Sequence, residues 1–172
     1  MTAKTQSLQN PSQSPLIRPI TAEDADQLRK LYALSLKNNR EGFVQCPDFH
    51  GDIYDRAKKY QAENGAMLGL FTSDGTLIGF GGLKDKEDHG RAELCNLHLH
   101  PDYHGQGLGK RLAMTLMDDA EHLGYGIVEL HVTITQKAAI NLYKSLGFRE
   151  TNRKVYEVEG GKYDTVFMEI AL

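Results

Sequence analysis

The sequence predicts a single α/β domain. In this α+β arrangement, a mixed, mostly antiparallel sheet of six to seven strands is flanked by helices. Three observations lead there. Two apolar runs are joined by Ser73-Asp74-Gly75-Thr76, and Asp-Gly between apolar runs is a strong hairpin signal. A strand-like run ending at Leu99, a glycine turn, a long amphipathic stretch and a second apolar run at Ile127 to Thr133 follow. That order describes a parallel, right-handed crossover. Two final strand-like runs flank Gly160-Gly161 as a closing hairpin.

The elements are expected in this order. Residues 1–15 are rich in Thr, Ser, Gln, Asn and Pro and almost devoid of apolar content, so a disordered tail is expected there. The domain then spans 16–172. Leu16-Ile17-Arg18 reads as a first strand. Thr21 before Glu23-Asp24 marks a helix start, and Ala25, Leu28, Leu31, Tyr32, Leu34 and Ser35 form a helical stripe. The segment from Asn38 to Gly51 has turn residues and no period. Ile53 to Ala62 reads as a second helix closed by Asn64-Gly65. Met67–Phe71 and Leu77–Leu83 form the hairpin strands, Lys84–Gly90 a charged turn, and Glu93–Leu99 the fourth strand. Leu108, Leu112, Leu116, Ala120 and Leu123 recur every three or four residues and mark one buried helix face. Gly124-Tyr125-Gly126 ends that helix. Ala138–Leu146 is a helix ending at Gly147, and Val155–Val158 and Tyr163–Ile170 are the closing strands.

A chain of 172 residues can bury a real core. Its net charge of −3 gives no electrostatic case for nucleic acid or an anionic membrane. No apolar run approaches spanning length, no secretory h-region starts the chain, and a cytoplasmic protein is expected. Cys46 and Cys95 form no CxxC pair, and Cys95 is expected as a buried free thiol. His98, His100 and His104 cluster without a matching carboxylate or Cys set, so no metal site is expected.

The most informative stretch is His104-Gly105-Gln106-Gly107-Leu108-Gly109-Lys110, between the fourth strand and the long helix. Helix N-termini bring unpaired N–H groups and partial positive charge together, and glycines let an anion approach the backbone. A dinucleotide fingerprint fails because its sixth position is Lys110. A Walker loop fails because Lys110 is followed by Arg111 and the earlier glycine would fall at His104. Lys110 and Arg111 at the positive helix end favour an anion nearby, although a solvated basic pair reads equally well. A second segment, Gln136-Lys137-Ala138-Ala139-Ile140-Asn141-Leu142-Tyr143-Lys144-Ser145-Leu146-Gly147-Phe148, lies one strand downstream.

Together the two segments resemble the GNAT superfamily of N-acetyltransferases. His104-x-x-Gly107-x-Gly109 is similar to its pyrophosphate loop. Gln136-x-x-Ala139-x-x-Leu142-Tyr143-x-x-x-Gly147-Phe148 is similar to its later helix. His104 stands where Gln or Arg is usual, and Gln136 where Asn is usual; both can still donate a hydrogen bond. The resemblance is specific from about Glu93 to Phe148 and looser from Leu16 to Leu172. It implies a sheet splayed between strands 4 and 5 and acetyl-CoA as co-substrate. The acceptor is then an amine of a small molecule or protein. A homodimer is allowed.

It also implies roles. Backbone around Gly105, Gln106, Gly107, Leu108, Gly109 and Lys110, with His104, would hold the pyrophosphate. Gln136 and Ala139 belong to the same cofactor site. A bulge at Leu97, His98 and Leu99 would meet the pantetheine arm and the thioester oxygen; on the residues alone, Leu97 and Leu99 are also core. Tyr143 would protonate the leaving thiolate, where periodicity alone reads a core tyrosine. Glu93 would be the base, with a pKa raised by desolvation; a strand-end carboxylate pairing with Arg91 reads as well. His98 and His100 are rival bases, and Glu41 and Asp48 candidates for amine recognition. The alternative function is a non-catalytic acyl-CoA-binding or regulatory module.

Overall fold

The computed structural model describes residues 14–39, 51–88, 90–158 and 161–172. Most of the expected tail, together with Glu41, Cys46 and Asp48, lies outside the described residues.

Among the described residues, seven strands form one sheet in the order β1-β2-β3-β4-β5-β7-β6. They are β1 (Leu16–Pro19), β2 (Ala66–Phe71), β3 (Leu77–Asp85), β4 (Arg91–Leu99), β5 (Ile127–Thr133), β6 (Arg149–Val158) and β7 (Gly161–Ala171). Every neighbouring pair is antiparallel except β4–β5. That pair is parallel and holds only from Arg91↔Ile127 to Glu93↔Glu129. Beyond Glu93 the two strands part, which is the expected splay.

The helices among the described residues are α1 (Ala25–Asn38), α2 (Ile53–Ala62), α3 (Leu108–His122) and α4 (Lys137–Ser145). Thr21 starts a 3₁₀ turn over Ala22–Asp24 rather than α1 itself. Its N–H is held by Asp24 Oδ2 at 2.8 Å, and Asp24 also binds Arg18 at 2.7 Å. Asp52 caps α2 by accepting from the N–H groups of Tyr54 and Asp55.

Alternation along the strands divides the core. Leu68, Leu83, Ala92 and Leu94 join Leu112, Leu116 and Tyr143 on the α3–α4 side. Met67, Phe71 and Phe80 join Leu28, Ile53 and Tyr60 on the α1–α2 side. β3 carries Gly81 because a side chain there would collide with Leu116 (2.7 Å) and Leu97 (2.9 Å).

Two expectations change. β6 begins at Arg149, six residues before Val155, because its first half is an exposed polar edge paired only with β7. The 84–90 turn is shorter than expected, since Lys84 and Asp85 continue β3 opposite Glu93 and Ala92.

Candidate active site

The splay opens a cavity of about 470 Å³. β4 lines it from Glu93 through His98, and β5 from His131 through Thr133. Gln136 precedes α4 at its rim, and Arg56 and Tyr60 reach in from α2. Strands that part at a sheet centre leave main-chain groups on the inner edges without a ladder partner, and such edges accept an extended ligand.

The bulge is present in β4, one residue earlier than expected. Phe80↔His98 and Gly82↔Cys95 leave Gly81 facing both Asn96 and Leu97. Asn96 takes the left-handed conformation at φ 51°, which Asn tolerates better than most residues. Its side chain is held on both sides. Asn96 Nδ2 donates to Tyr60 Oη at 3.3 Å, and Arg56 Nη1 donates to Asn96 Oδ1 at 3.2 Å. Helix α2 therefore fixes the bulge.

Glu93 is buried, 7% exposed. His131 Nδ1 lies 3.1 Å from Glu93 Oε1, and Lys86 Nζ lies 3.5 Å from Oε2. This corrects the expectation of a raised pKa. Burial does push the carboxyl up, but His131, Lys86 and Lys84 outweigh it and hold the pKa below the ordinary value. Pairing with Arg91 is also corrected. Arg91 Nη1 instead binds Glu169 at 2.9 Å and Glu129 at 3.2 Å.

The rival histidines separate clearly. His98 is 6% exposed, packed between the rings of Phe80 and Tyr32. Burial, aided by the Arg56 charge, lowers its pKa to about 3, so it stays neutral and is too weak a base for an amine proton. His100 Nδ1 accepts from the Asp102 N–H at 3.3 Å, outside the cavity. Cys95 keeps some exposed surface, but its thiol lies inside; burial pushes it up to about 12. It is therefore a thiol, not a nucleophilic thiolate.

The glycine loop caps the other end of β4. Gly105 and Gly107 both take positive φ, 73° and 75°, and Gly107 is the N-cap of α3 without any side-chain cap. The first helical bond is Arg111 N–H to Gly107 O at 3.1 Å. The N–H groups of Leu108, Gly109 and Lys110 precede it and have no intrahelical acceptor. Side chains at Gly105 and Gly107 would meet nothing within 4 Å, so the cradle is open. The first turn of α3 has no acidic residue. His104 is exposed and carries a hydrogen bond back to the strand. Its Nε2 donates to the Leu99 carbonyl at 2.9 Å and braces the loop against β4. Arg111 donates to the Pro15 carbonyl at 2.6 Å.

Tyr143 is 7% exposed and packs edge-to-face on Phe148. It lies outside the residues that line the cavity. Burial, with a contribution from Cys95, pushes its pKa above the ordinary phenol value, so the hydroxyl keeps its proton.

The sequence profile of the Acetyltransferase (GNAT) family matches residues 28–148. The chain belongs to that family. Among curated relatives, the [ribosomal protein bS18]-alanine N-acetyltransferase of Escherichia coli K12 is 39% identical over 83 residues, covering 47% of this chain and 56% of the relative. Human N-acetyltransferase 8B is 31% identical over 111 residues, covering 62% and 49%. The chain thus spans about half the length of these relatives. Among solved structures, a GNAT superfamily phosphinothricin acetyltransferase from Sinorhizobium meliloti, in complex with acetyl-CoA, superposes with a TM-score of 0.81 at 20% identity, over 93% of this chain and 89% of that one. At that identity the likeness establishes the shared GNAT fold.

In this GNAT domain, sequence reading missed Asn96, His131, Arg56 and Lys86. Asn96 carried a weak signal, since Asn is enriched at positive φ. His131 and Arg56 are brought to the cavity by strand register and helix docking, and Lys86 reaches Glu93 from the turn after β3, which no local pattern encodes.

Proposed function

We propose that this protein is an N-acetyltransferase that transfers an acetyl group from acetyl-CoA to a primary amine by direct attack on the thioester. One observation carries the reading. A buried, ionised carboxylate, Glu93, shares a cavity with the free inner edge of β4, and the uncapped end of α3 lies at that strand's far end.

The residues fit the co-substrate. The open cradle of Gly105 and Gly107, with the N–H groups of Leu108 to Lys110, suits a diphosphate. The β4 edge at Leu97, His98 and Leu99, past the last rung with β5, suits an amide-bearing arm, and Gln136 and Ala139 at the start of α4 complete the groove. Acetyl-CoA supplies the activated acyl carbon and a thiol leaving group.

The chain's own residues supply the rest. The bulge aims β4 N–H groups at a developing oxyanion. Glu93 takes the amine proton, directly or through water, and His131 connects it to solvent. Tyr143, which keeps its proton, is the proposed donor to the departing thiolate. The same reading takes 16–172 as the working domain. It places the protein in the cytoplasm, where a free thiol such as Cys95 stays reduced. A non-catalytic acyl-CoA-binding module would have no use for a charged carboxylate held on a proton path to solvent.

The test is release of free CoA from acetyl-CoA across a panel of amino acids, polyamines, aryl amines and peptide N-termini. Steady release with one class establishes the transferase. Tight acetyl-CoA binding with no release from any class leaves the binding module as the answer.

A further inference from the structure

Arg56 is placed as no structural arginine needs to be. It projects from α2 into the cavity that holds Glu93. Its guanidinium lies 4.9 Å from the Tyr32 ring centroid, and Nη1 is spent on Asn96. The remaining edge, Nε and Nη2, is buried and has no hydrogen-bond partner among the described residues. Those two nitrogens form the side-on fork of a guanidinium, whose parallel N–H bonds match the two oxygens of a carboxylate. A buried charged donor left unmatched is costly. Arg56 has no ion-pair partner among the described residues, whereas Glu93 is already matched by His131 and Lys86, with Lys84 opposite it on β3. The cavity therefore has an anion's worth of unmet positive charge on its α2 wall, with the base on β4.

We propose that the acceptor is a small amine bearing a carboxylate, an amino acid or close analogue, whose carboxylate is held by the Nε–Nη2 edge of Arg56 while its amine faces Glu93. This rests on the transferase reading above and adds the acceptor's chemical class. The cavity, about 470 Å³, suits such a molecule beside the end of an acyl-pantetheine arm. Polyamines are disfavoured, since they would bring further positive charge against Arg56 and Lys84.

The test uses matched ligands on the full chain. N-acetyl amino acids (the expected products) and their C-terminal amides are titrated calorimetrically, and the free amino acids, their amides and the corresponding alkylamines are compared as acceptors. Wild type should prefer the carboxylate form by about 10²-fold, the scale of a charge-assisted bidentate pair. Arg56→Gln should abolish that preference, with CoA titration reporting separately any loosening of the bulge that Arg56 braces through Asn96. Arg56→Lys keeps the charge without the fork, should retain about a tenth of the preference, and carries the test if Arg56→Gln does not fold. Equal binding of acid and amide by wild type, or an unchanged preference in Arg56→Lys, overturns the proposal. So does turnover confined to polyamines or to peptides regardless of their acidic residues. Product binding needs no turnover, so failure of the transferase reading shows separately: carboxylate-selective binding would persist while CoA release stays absent with every amine.

Discussion

Replacing Gly109 with glutamate should strengthen the fold and weaken the cofactor site at once. Gly109 sits in the first turn of α3 without positive φ. A Cβ there meets only Leu142 Cδ2, at 3.9 Å, an ordinary contact. The substitution is therefore unstrained, unlike one at Gly107, where φ is 75° and a side chain costs roughly 1–2 kcal/mol. In the free protein, a carboxylate in the first helical turn gains about 0.3–1 kcal/mol from the helix dipole, and replacing helical glycine adds some tenths more. A gain near 1 kcal/mol raises Tm by about 2–4 °C in a domain of this size. The same carboxylate lies within about 6 Å of the N–H groups proposed to hold the diphosphate. Each repelling pair then costs about 0.7 kcal/mol in water and near 3 kcal/mol at an effective dielectric of 20. Two phosphate charges give a loss of at least about tenfold. Calorimetric titration of CoA at low salt, with Gly109→Gln as the neutral control, reads the effect, and about 1 M salt should restore much of it. A folded Gly109→Glu protein that binds CoA as wild type does at low salt would refute the placement of the diphosphate on α3.

Tyr143→Phe should lower turnover by roughly 10²-fold with acetyl-CoA affinity retained; full turnover in a folded variant returns Tyr143 to the core. Glu93→Gln should slow the reaction at neutral pH and recover at high pH, where the amine is already neutral; a loss uniform with pH would assign Glu93 a structural role. Because the Glu93 pKa is held below the ordinary value, the carboxylate is ionised throughout neutral pH, and the acid limb of the wild-type kcat/KM profile should survive in Glu93→Gln. The Asp24 carboxyl is held at about 2 by Arg18, against burial, with help from Thr21. A folded-state pKa below the unfolded one stabilises above pH ~4 and is lost as pH falls toward 2. Asp24→Asn should then cost on the order of 2 kcal/mol at pH 7 and little at pH 2, as read by urea unfolding.

Local chemistry made much of this molecule readable. The Asp74-Gly75 turn, the 3–4 periodicity from Leu108 and the glycines at 105 and 107 act through backbone preferences over a few residues. The early half of β6 escaped because an exposed edge strand has no apolar alternation to read. Among the site residues, Glu93, Leu97, His98 and Gln136 do share one cavity, while Tyr143 and the glycine loop stand apart from it. His131 and Arg56 were invisible for a different reason. His131 reaches Glu93 because Glu93 pairs with Glu129, two residues upstream on β5, and Arg56 reaches the cavity because α2 packs on the bulge at Asn96. Both facts belong to register and docking, not to composition or spacing.

The lowered pKa of Glu93 also changes what kind of base it is. An α-amine titrates near 8, and the carboxyl lies below its usual 4.5. Full transfer of the proton is uphill by at least about 3.5 units, near 5 kcal/mol. A raised pKa would have closed that gap and let Glu93 store the proton. Held down by His131 and the lysines, it can only pass the proton on. The geometry suits a relay, because the carboxylate faces the cavity and a half-exposed imidazole sits 3.1 Å beside it on the same wall. Such a relay works best on amines that are already partly neutral. About a tenth of a peptide α-amine is neutral at pH 7, against less than a thousandth of a lysine side chain. Relay and fork make separate demands on the acceptor: Glu93 and His131 prefer an amine of low basicity, whereas Arg56 prefers one with a carboxylate beside it, and that carboxylate raises the basicity of the amine until Arg56 neutralises it.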